Sequence, residues 1–299
     1  MKSRVTLSFI WSIWRVLRPE QWVKNAFVLI GVTFANLWTQ PSAVKNSLMA
    51  TLAFSLVASG VYVCNDLFDK AQDAKHPEKR KRPIAANEIG VRPATLLFLL
   101  LWFLGLGLGR LVSITVFVIL VSYVLVNIGY SWKLKDVVIL DVFLIASGFM
   151  LRILAGTIGI GIESSKWLLL CGFMLALFLG FAKRRAEIYA SVYAKRDYRK
   201  VLAQYQPVLL DKMIVITSTC AILCYGLYTL SPATIQTHKT DNLVFTVPFV
   251  VYGIFRYLYA LHKDHRGLDP AQEIIRDPQI MLATILWFAT TVYLLRTGK

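Results

Sequence analysis

Long apolar stretches alternate with short polar, mostly basic segments along the chain. Runs long enough to cross about 30 Å of hydrocarbon fall near 24–40, 43–64, 93–110, 112–130, 137–160, 166–183, 210–231, 244–262 and 279–297. The pattern predicts nine transmembrane segments. Each must be helical, because hydrocarbon offers no water to satisfy backbone polar groups. The expected fold class is an all-α integral membrane bundle, one polytopic domain over residues 1–299 with no short repeat or low-complexity linker. Residues 1–23 are basic, carry Trp11, Trp14 and Pro19, and show no small-residue cleavage signature. They read as an interfacial N-terminal helix rather than a signal peptide.

Composition agrees. The 299 residues are 57% hydrophobic and 17% charged, where soluble domains carry about a quarter charged residues. The charge is lopsided, with 33 Lys and Arg against 17 Asp and Glu, net +16. In a membrane protein such an excess sets topology, touches anionic lipid heads and binds anionic substrates. The bases sit in short loops rather than a separate basic domain, which argues against nucleic acid as a partner. Cys64, Cys171, Cys220 and Cys224 all lie in apolar stretches and read as small buried residues, not a disulfide framework.

The loops fall into two sets. The N-terminus through Lys24 and the loops near 65–92, 131–136, 183–212 and 263–278 hold 25 Lys and Arg, whereas the opposite set holds six. Positive residues favour the cytoplasmic side, so a cytoplasmic N-terminus in the inner (plasma) membrane is expected. The long loops share that face, where the active site is therefore expected.

One stretch stands out there: "NDLFDKAQDAKHPEKRKRPI", residues 65–84. On a continuous helix Asn65, Asp66, Asp69 and Asp73 would share roughly one face. Carboxylates that close repel one another, and a bound cation would relieve them; oxygen-only ligands suit Mg²⁺. The alternative is a solvated helix end whose acids pair with Lys70, Lys75 or Lys79.

The Asn-Asp-x-x-Asp-x-x-x-Asp pattern at a membrane boundary, with the span number and sidedness, resembles the UbiA superfamily of intramembrane transferases. Arg82-Pro83, shortly after the acids, is similar too. The resemblance implies that Asn65, Asp66, Asp69 and Asp73 hold Mg²⁺ against the diphosphate of a donor. It is incomplete. Family members that transfer prenyl groups carry a second Asp-rich cluster after the sixth helix, whereas here that region begins "GFAKRRAEIYASVYAKRDYRK". Its acids, Glu187, Asp197 and Asp211, are outnumbered by bases. Lys183, Arg184 and Arg185 read either as topological charge or as contacts to an anionic ligand.

"RPEQWVKN" (18–25), "YSWKLKDVVILDVFLIASGFMLRILAG" (130–156) and "FLGFAKRRAE" (178–187), with the acidic motif, resemble one branch of that superfamily, the decaprenyl-phosphate phosphoribosyltransferases. That resemblance implies 5-phosphoribosyl 1-diphosphate as donor and a polyprenyl phosphate lipid as acceptor, and supply of a precursor for cell-wall arabinan. Its implied catalytic residues are Asp66, Asp69 and Asp73. Candidate substrate contacts are Asn65, Lys24, Lys79, Arg80, Arg82, Tyr130, Lys133, Lys135, Asp141, Arg152, Lys183, Arg184, Arg185 and Glu187. Asp141 and Arg152, eleven residues apart in one span, read as functional intramembrane charges or as an ion pair with each other or with lipid heads. A homo-oligomer is compatible. The alternatives are a prenyl diphosphate–aromatic transferase on the same fold and a lipid-phosphate carrier without chemistry. The loop "HRGLDPAQEIIRDP" (265–278) reads as a cap over the site.

Overall fold

A computed structural model describes residues 11–76, 79–194, 200–263, 267, 273 and 276–297. Residues 1–10 of the expected interfacial helix, Asp197 with its basic neighbours Lys195, Arg196 and Arg199, and Asp269 and Pro270 lie outside the described residues.

Among the described residues, eight helices are long and apolar enough to cross a membrane: α1 (Pro41–Phe68), α2 (Val91–Val112), α3 (Ile114–Trp132), α4 (Leu140–Ala155), α5 (Lys166–Ala194), α6 (Pro207–Leu230), α7 (Val247–Lys263) and α8 (Pro278–Thr297). Short 3₁₀ turns, Ile158–Ile160 and Asn242–Thr246, lengthen α4 and α7. The chain is a multi-pass, all-helical membrane protein.

The first expected span differs. It is a 3₁₀ helix over Pro19–Leu29 continued by a short α-helix over Ile30–Phe34. A 3₁₀ winding rises about 2.0 Å per residue and repeats every three, so this short segment still reaches about 29 Å. The repeat explains the winding: Trp22, Asn25, Val28 and Gly31 stand three apart and share one face. Trp22 Nε1 donates to Ser59 Oγ at 3.0 Å and Asn25 Nδ2 to Ser55 Oγ at 2.9 Å. Val28 is fully buried. Arg18 starts the segment in the left-handed region, φ 52°, ahead of Pro19.

The chain forms two compact units. One holds residues up to Trp132 together with Leu151–Ile162; the other holds Lys133–Met150 and the residues from Glu163 onward. In the first, α1 packs against α2, α3 and the 3₁₀ segment. Its buried positions are largely small, Ala50, Ala53, Ala58, Ser47, Ser55, Ser59 and Gly60, the composition that lets helices approach closely in lipid. Phe54, Val57, Leu120 and Tyr123 fill the space between. Backbones touch at one crossing: a Cβ on Gly31 would stand 1.8 Å from the Gly156 carbonyl oxygen, and one on Gly156 1.6 Å from that of Val28.

In the second unit α5 packs along α6, and α7 against α8. Phe178, Phe181, Leu210, Ile214 and Tyr257 form its core. Outward faces of several helices carry exposed Leu, Ile, Val and Phe, such as Leu96, Phe103, Val215, Ile216, Leu282 and Ile285, as lipid-facing surfaces require.

Candidate active site

The acidic motif sits where α1 ends. The helix stops at Phe68, Asp69 turns out of helical geometry (φ −87°, ψ 2°), and one helical turn resumes over Lys70–Asp73. The expected uninterrupted helix is therefore broken at Asp69. The ladder still holds: Asp69 N donates to Asn65 O at 2.9 Å and Asp73 N to Asp69 O at 2.8 Å. Asp66, still on α1, and Asp73, past the break, are both buried, at 3% and 2% exposure, and Asp69 is half-buried.

Arg82 Nη1 lies between the two buried carboxylates, 3.1 Å from Asp66 Oδ1 and 2.7 Å from Asp73 Oδ2. One Arg18 nitrogen reaches both oxygens of Asp66 at 2.6 and 2.9 Å, and its guanidinium stacks over the Tyr62 ring at 5.2 Å. Lys79 Nζ stands 3.8 Å from Asp73. Asn65 Oδ1 accepts from Ser131 Oγ at 2.8 Å. Asp66 and Asp73 are thus ion-paired, chiefly to arginines, with Lys79 beside Asp73.

This donor set fits a hard divalent cation. It offers carboxylate and amide oxygens only, and two buried carboxylates already converge on a positive group. Among the described residues no three His, Cys, Asp or Glu side chains form a ready-made metal cluster; Arg18 and Arg82 hold the oxygens such an ion would take.

Arg152 is buried in the same unit. Its Nε donates to Asn25 Oδ1 at 2.8 Å and its Nη2 to Tyr123 Oη at 3.1 Å, and its guanidinium lies over the Phe54 and Tyr123 rings at 5.1 and 4.8 Å. Cation–π contacts and neutral acceptors make this charge tolerable within a span. Lys24 and Tyr130 are half-buried, and Arg80 is exposed.

In the second unit Asp141 is fully buried. Its Oδ2 accepts from Arg184 Nε at 2.6 Å and its Oδ1 from Tyr205 Oη at 2.6 Å. Arg184, 1% exposed, also donates to Glu187 at 2.5 Å. The Tyr205 hydroxyl in turn accepts from Ile139 N at 2.7 Å, pinning a β-branched residue at φ 71°. Such backbone strain persists only where surroundings over-determine it. Burial, and then the hydrogen bond to Asp141, push the Tyr205 hydroxyl well above the usual phenol range. Arg185 pairs with Asp211 at 3.0 Å, which His262 also approaches at 3.4 Å. Lys133 is exposed, and Lys135 and Lys183 are half-buried. Asp141 and Arg152 do not pair with each other: eleven residues of helix separate them by about 16 Å.

In the last loop Asp277 is buried. It accepts from Arg256 and caps α8 through Gln279 N and Ile280 N. The Arg256 guanidinium holds its carboxyl below the usual range.

The sequence alone does not pair Arg18 or Ser131 with the acidic motif in the first unit, or Tyr205 with Asp141 in the second. Arg18 lies 48 positions from Asp66, a separation that carries no periodic signal; its one mark was a place at the head of "RPEQWVKN".

The profile of the UbiA prenyltransferase family matches residues 25–273. Decaprenyl-phosphate phosphoribosyltransferase from Corynebacterium glutamicum is 31% identical over 91% of this chain and 83% of its own length. The Mycobacterium tuberculosis protein of that name is 30% identical over 92% and 91%. Among solved structures, a UbiA homolog from Archaeoglobus fulgidus bound to GPP and Mg²⁺ superimposes with a TM-score of 0.71 at 19% identity, covering 95% of this chain and 99% of that one. With a family match that runs over both units and relatives similar along nearly their whole length, the chain belongs to the UbiA prenyltransferase family.

Proposed function

We propose that this protein transfers the 5-phosphoribosyl group from 5-phosphoribosyl 1-diphosphate to a polyprenyl phosphate such as decaprenyl phosphate, releasing diphosphate. The supporting observation is that arginines and buried aspartates share one site: Arg18 and Arg82 interleave with Asp66 and Asp73. Acids alone would serve a metal and a single diphosphate. Arginines beside them suit a reaction with more phosphoryl charge, which guanidinium groups bind in bidentate fashion. The names borne by the relatives at about 30% identity point the same way.

Asp66, Asp69 and Asp73, with Asn65, would hold Mg²⁺. When bound, the ion neutralises the leaving diphosphate. Arg18 and Arg82, released from the carboxylates, steady phosphate oxygens as the anomeric C–O bond breaks and charge moves onto the departing group. The ribose gains oxocarbenium character, and an acceptor phosphate oxygen forms the new bond to C1. That phosphate is already anionic, so no strong general base is needed. Lys24, Lys79, Arg80, Tyr130, Lys133, Lys135, Lys183 and Arg185 are the proposed contacts to the 5-phosphate and the acceptor phosphate. Arg152 is proposed to orient substrate from within the membrane, and Asp141, Arg184 and Glu187 to support the site through their ion network. The site is assigned to the cytoplasmic face of the plasma membrane, with the N-terminus on that side, and the product to cell-wall arabinan synthesis.

The test is direct. Protein in detergent, given Mg²⁺, polyprenyl phosphate and labelled phosphoribosyl diphosphate, is expected to yield a lipid-linked phosphoribose and free diphosphate, and Asp66→Asn to abolish it. Turnover of a prenyl diphosphate with an aromatic acceptor, and none of the former product, would overturn the proposal.

A further inference from the structure

Residues 11–17 form a helix whose two faces differ. Ile13, Val16 and Leu17 pack into a core with Val63, Ile84, Ile89 and Leu101. Ser12 and Arg15 clamp the helix to Glu88, at 2.6 Å and 3.1 Å, and Arg15 Nη2 donates to the Lys81 carbonyl at 2.6 Å. This docking leaves Trp11 and Trp14 outward, 62% and 51% exposed. Packing does not account for two large aromatics, three apart, on the free face. Trp is enriched where a protein meets the headgroup layer of a membrane.

Behind these tryptophans lies a cavity of about 530 Å³. Its lining includes Trp11, Trp14, Arg15, Arg18, Lys81 and Arg82, against a single acid, Glu20. Arg15 is paired to Glu88, and Arg18 and Arg82 to Asp66 and Asp73, so an anion entering here joins existing ion pairs, with the exposed Lys81 beside them. Two features specify which kind. Its aromatic members suit an apolar tail at a membrane interface. Arg18 and Arg82 line the cavity and also touch Asp66, so an anion bound there sits next to the acidic motif.

We infer that this cavity is a docking site for a phosphomonoester carried on a lipid, holding the acceptor's headgroup before transfer. The inference rests on the functional reading above and adds a place and a route to it: the phosphate is captured at the membrane surface by Lys81, beside the Arg15–Glu88 pair, and the first apolar units of the tail lie against Trp11 and Trp14. Arg18 and Arg82 form the seam through which the headgroup's charge is felt at Asp66.

The experiment measures binding to the full-length protein in nanodiscs of zwitterionic lipid, without donor. The probes are polyprenyl phosphate, phosphatidylglycerol and inorganic phosphate. Lys81→Gln and Trp14→Ala alter exposed side chains, so both variants are expected to fold; Arg110→Gln removes an exposed cation outside the cavity as control. Lys81→Gln is expected to weaken polyprenyl phosphate binding about tenfold, the effect of one charge-assisted contact, and to weaken inorganic phosphate as well. Trp14→Ala is expected to weaken the lipid but not inorganic phosphate. Arg110→Gln is expected to change neither, and phosphatidylglycerol not to compete. Unchanged lipid binding in both cavity variants, an equal loss in Arg110→Gln, or full displacement by phosphatidylglycerol would each overturn the inference while leaving the transferase assay intact. If the wild-type protein holds no polyprenyl phosphate at all, the inference and the functional reading fall together.

Discussion

A single guanidinium nitrogen of Arg18 donates to both carboxylate oxygens of Asp66, at 2.6 and 2.9 Å. The arginine reaches that position from a left-handed backbone, φ 52°, a conformation that costs of order 1 kcal/mol or more in a non-glycine residue. The contact therefore competes directly with any metal ion that would use Asp66. Arg18→Gln is expected to tighten Mn²⁺ binding by the apo protein, followed by EPR titration, while loosening binding of inorganic diphosphate. Removing a charge-assisted contact worth about 1–2 kcal/mol corresponds to roughly a 5- to 30-fold change in affinity. Weakened metal binding in this variant would mean that Arg18 supports the ion site instead of rivalling it.

The Asp141–Arg184 pair makes a different prediction, on stability. Both side chains are buried, and Tyr205 closes the remaining oxygen of Asp141. Asp141→Asn takes the buried Arg184 guanidinium's pairing with Asp141 away while its contact to Glu187 stays, and a broken buried pair costs about 3–5 kcal/mol. Tyr205→Phe removes two hydrogen bonds at once, to Asp141 and from Ile139, and is expected to cost about 1–3 kcal/mol. Because the groups share atoms, the double variant should lose less than the sum of the singles. Thermal unfolding of the four proteins in one detergent checks this; strict additivity would mean the network is not coupled.

What the sequence revealed and what it hid have physical causes. Eight spans were legible because lipid demands long apolar helices, and the acidic motif because carboxylates are conspicuous at a span's end. The 3₁₀ segment was not. Its face repeats at Trp22, Asn25, Val28 and Gly31, and over so short a run a period of three is hard to tell from 3.6. Partners were the least legible. Asp141 and Arg152 suggested each other by proximity in one helix, yet each is satisfied by residues remote in sequence, Arg184 and Tyr205 for the first, Asn25 and Tyr123 for the second. Long-range pairing is set by packing, which leaves no periodic trace.

The crossing at Gly156 gives a steric prediction. A methyl group there would stand 1.6 Å from the Val28 carbonyl oxygen, and neither backbone can yield without moving the whole 3₁₀ segment. Gly156→Ala is expected to destabilise by about 1–3 kcal/mol, as overpacking does. Gly107→Ala, in α2 with nothing within 4 Å of its added carbon, is expected to be neutral or to stabilise by up to about 1 kcal/mol. Equal melting temperatures for the two variants would show that the close approach is not maintained in the membrane.

Asp277 supplies a prediction in pH. Arg256 lowers its pKa in the folded protein, with the α8 backbone donors adding to the effect. The unfolded chain then binds a proton more readily than the folded one, so stability rises with pH across the interval between the two values. The contribution is complete above the ordinary carboxylate pKa and disappears as pH falls through the depressed folded value. Acidification below about pH 4 should therefore lower the melting temperature of the wild-type protein by more than that of Asp277→Asn. The amide keeps an oxygen able to cap the helix but has no charge to titrate against Arg256. At neutral pH the variant should be the less stable of the two, and the gap should narrow as acid is added. A gap that stays constant or widens instead would show that folding does not depress the Asp277 pKa and that its pairing with Arg256 adds no pH-dependent stability.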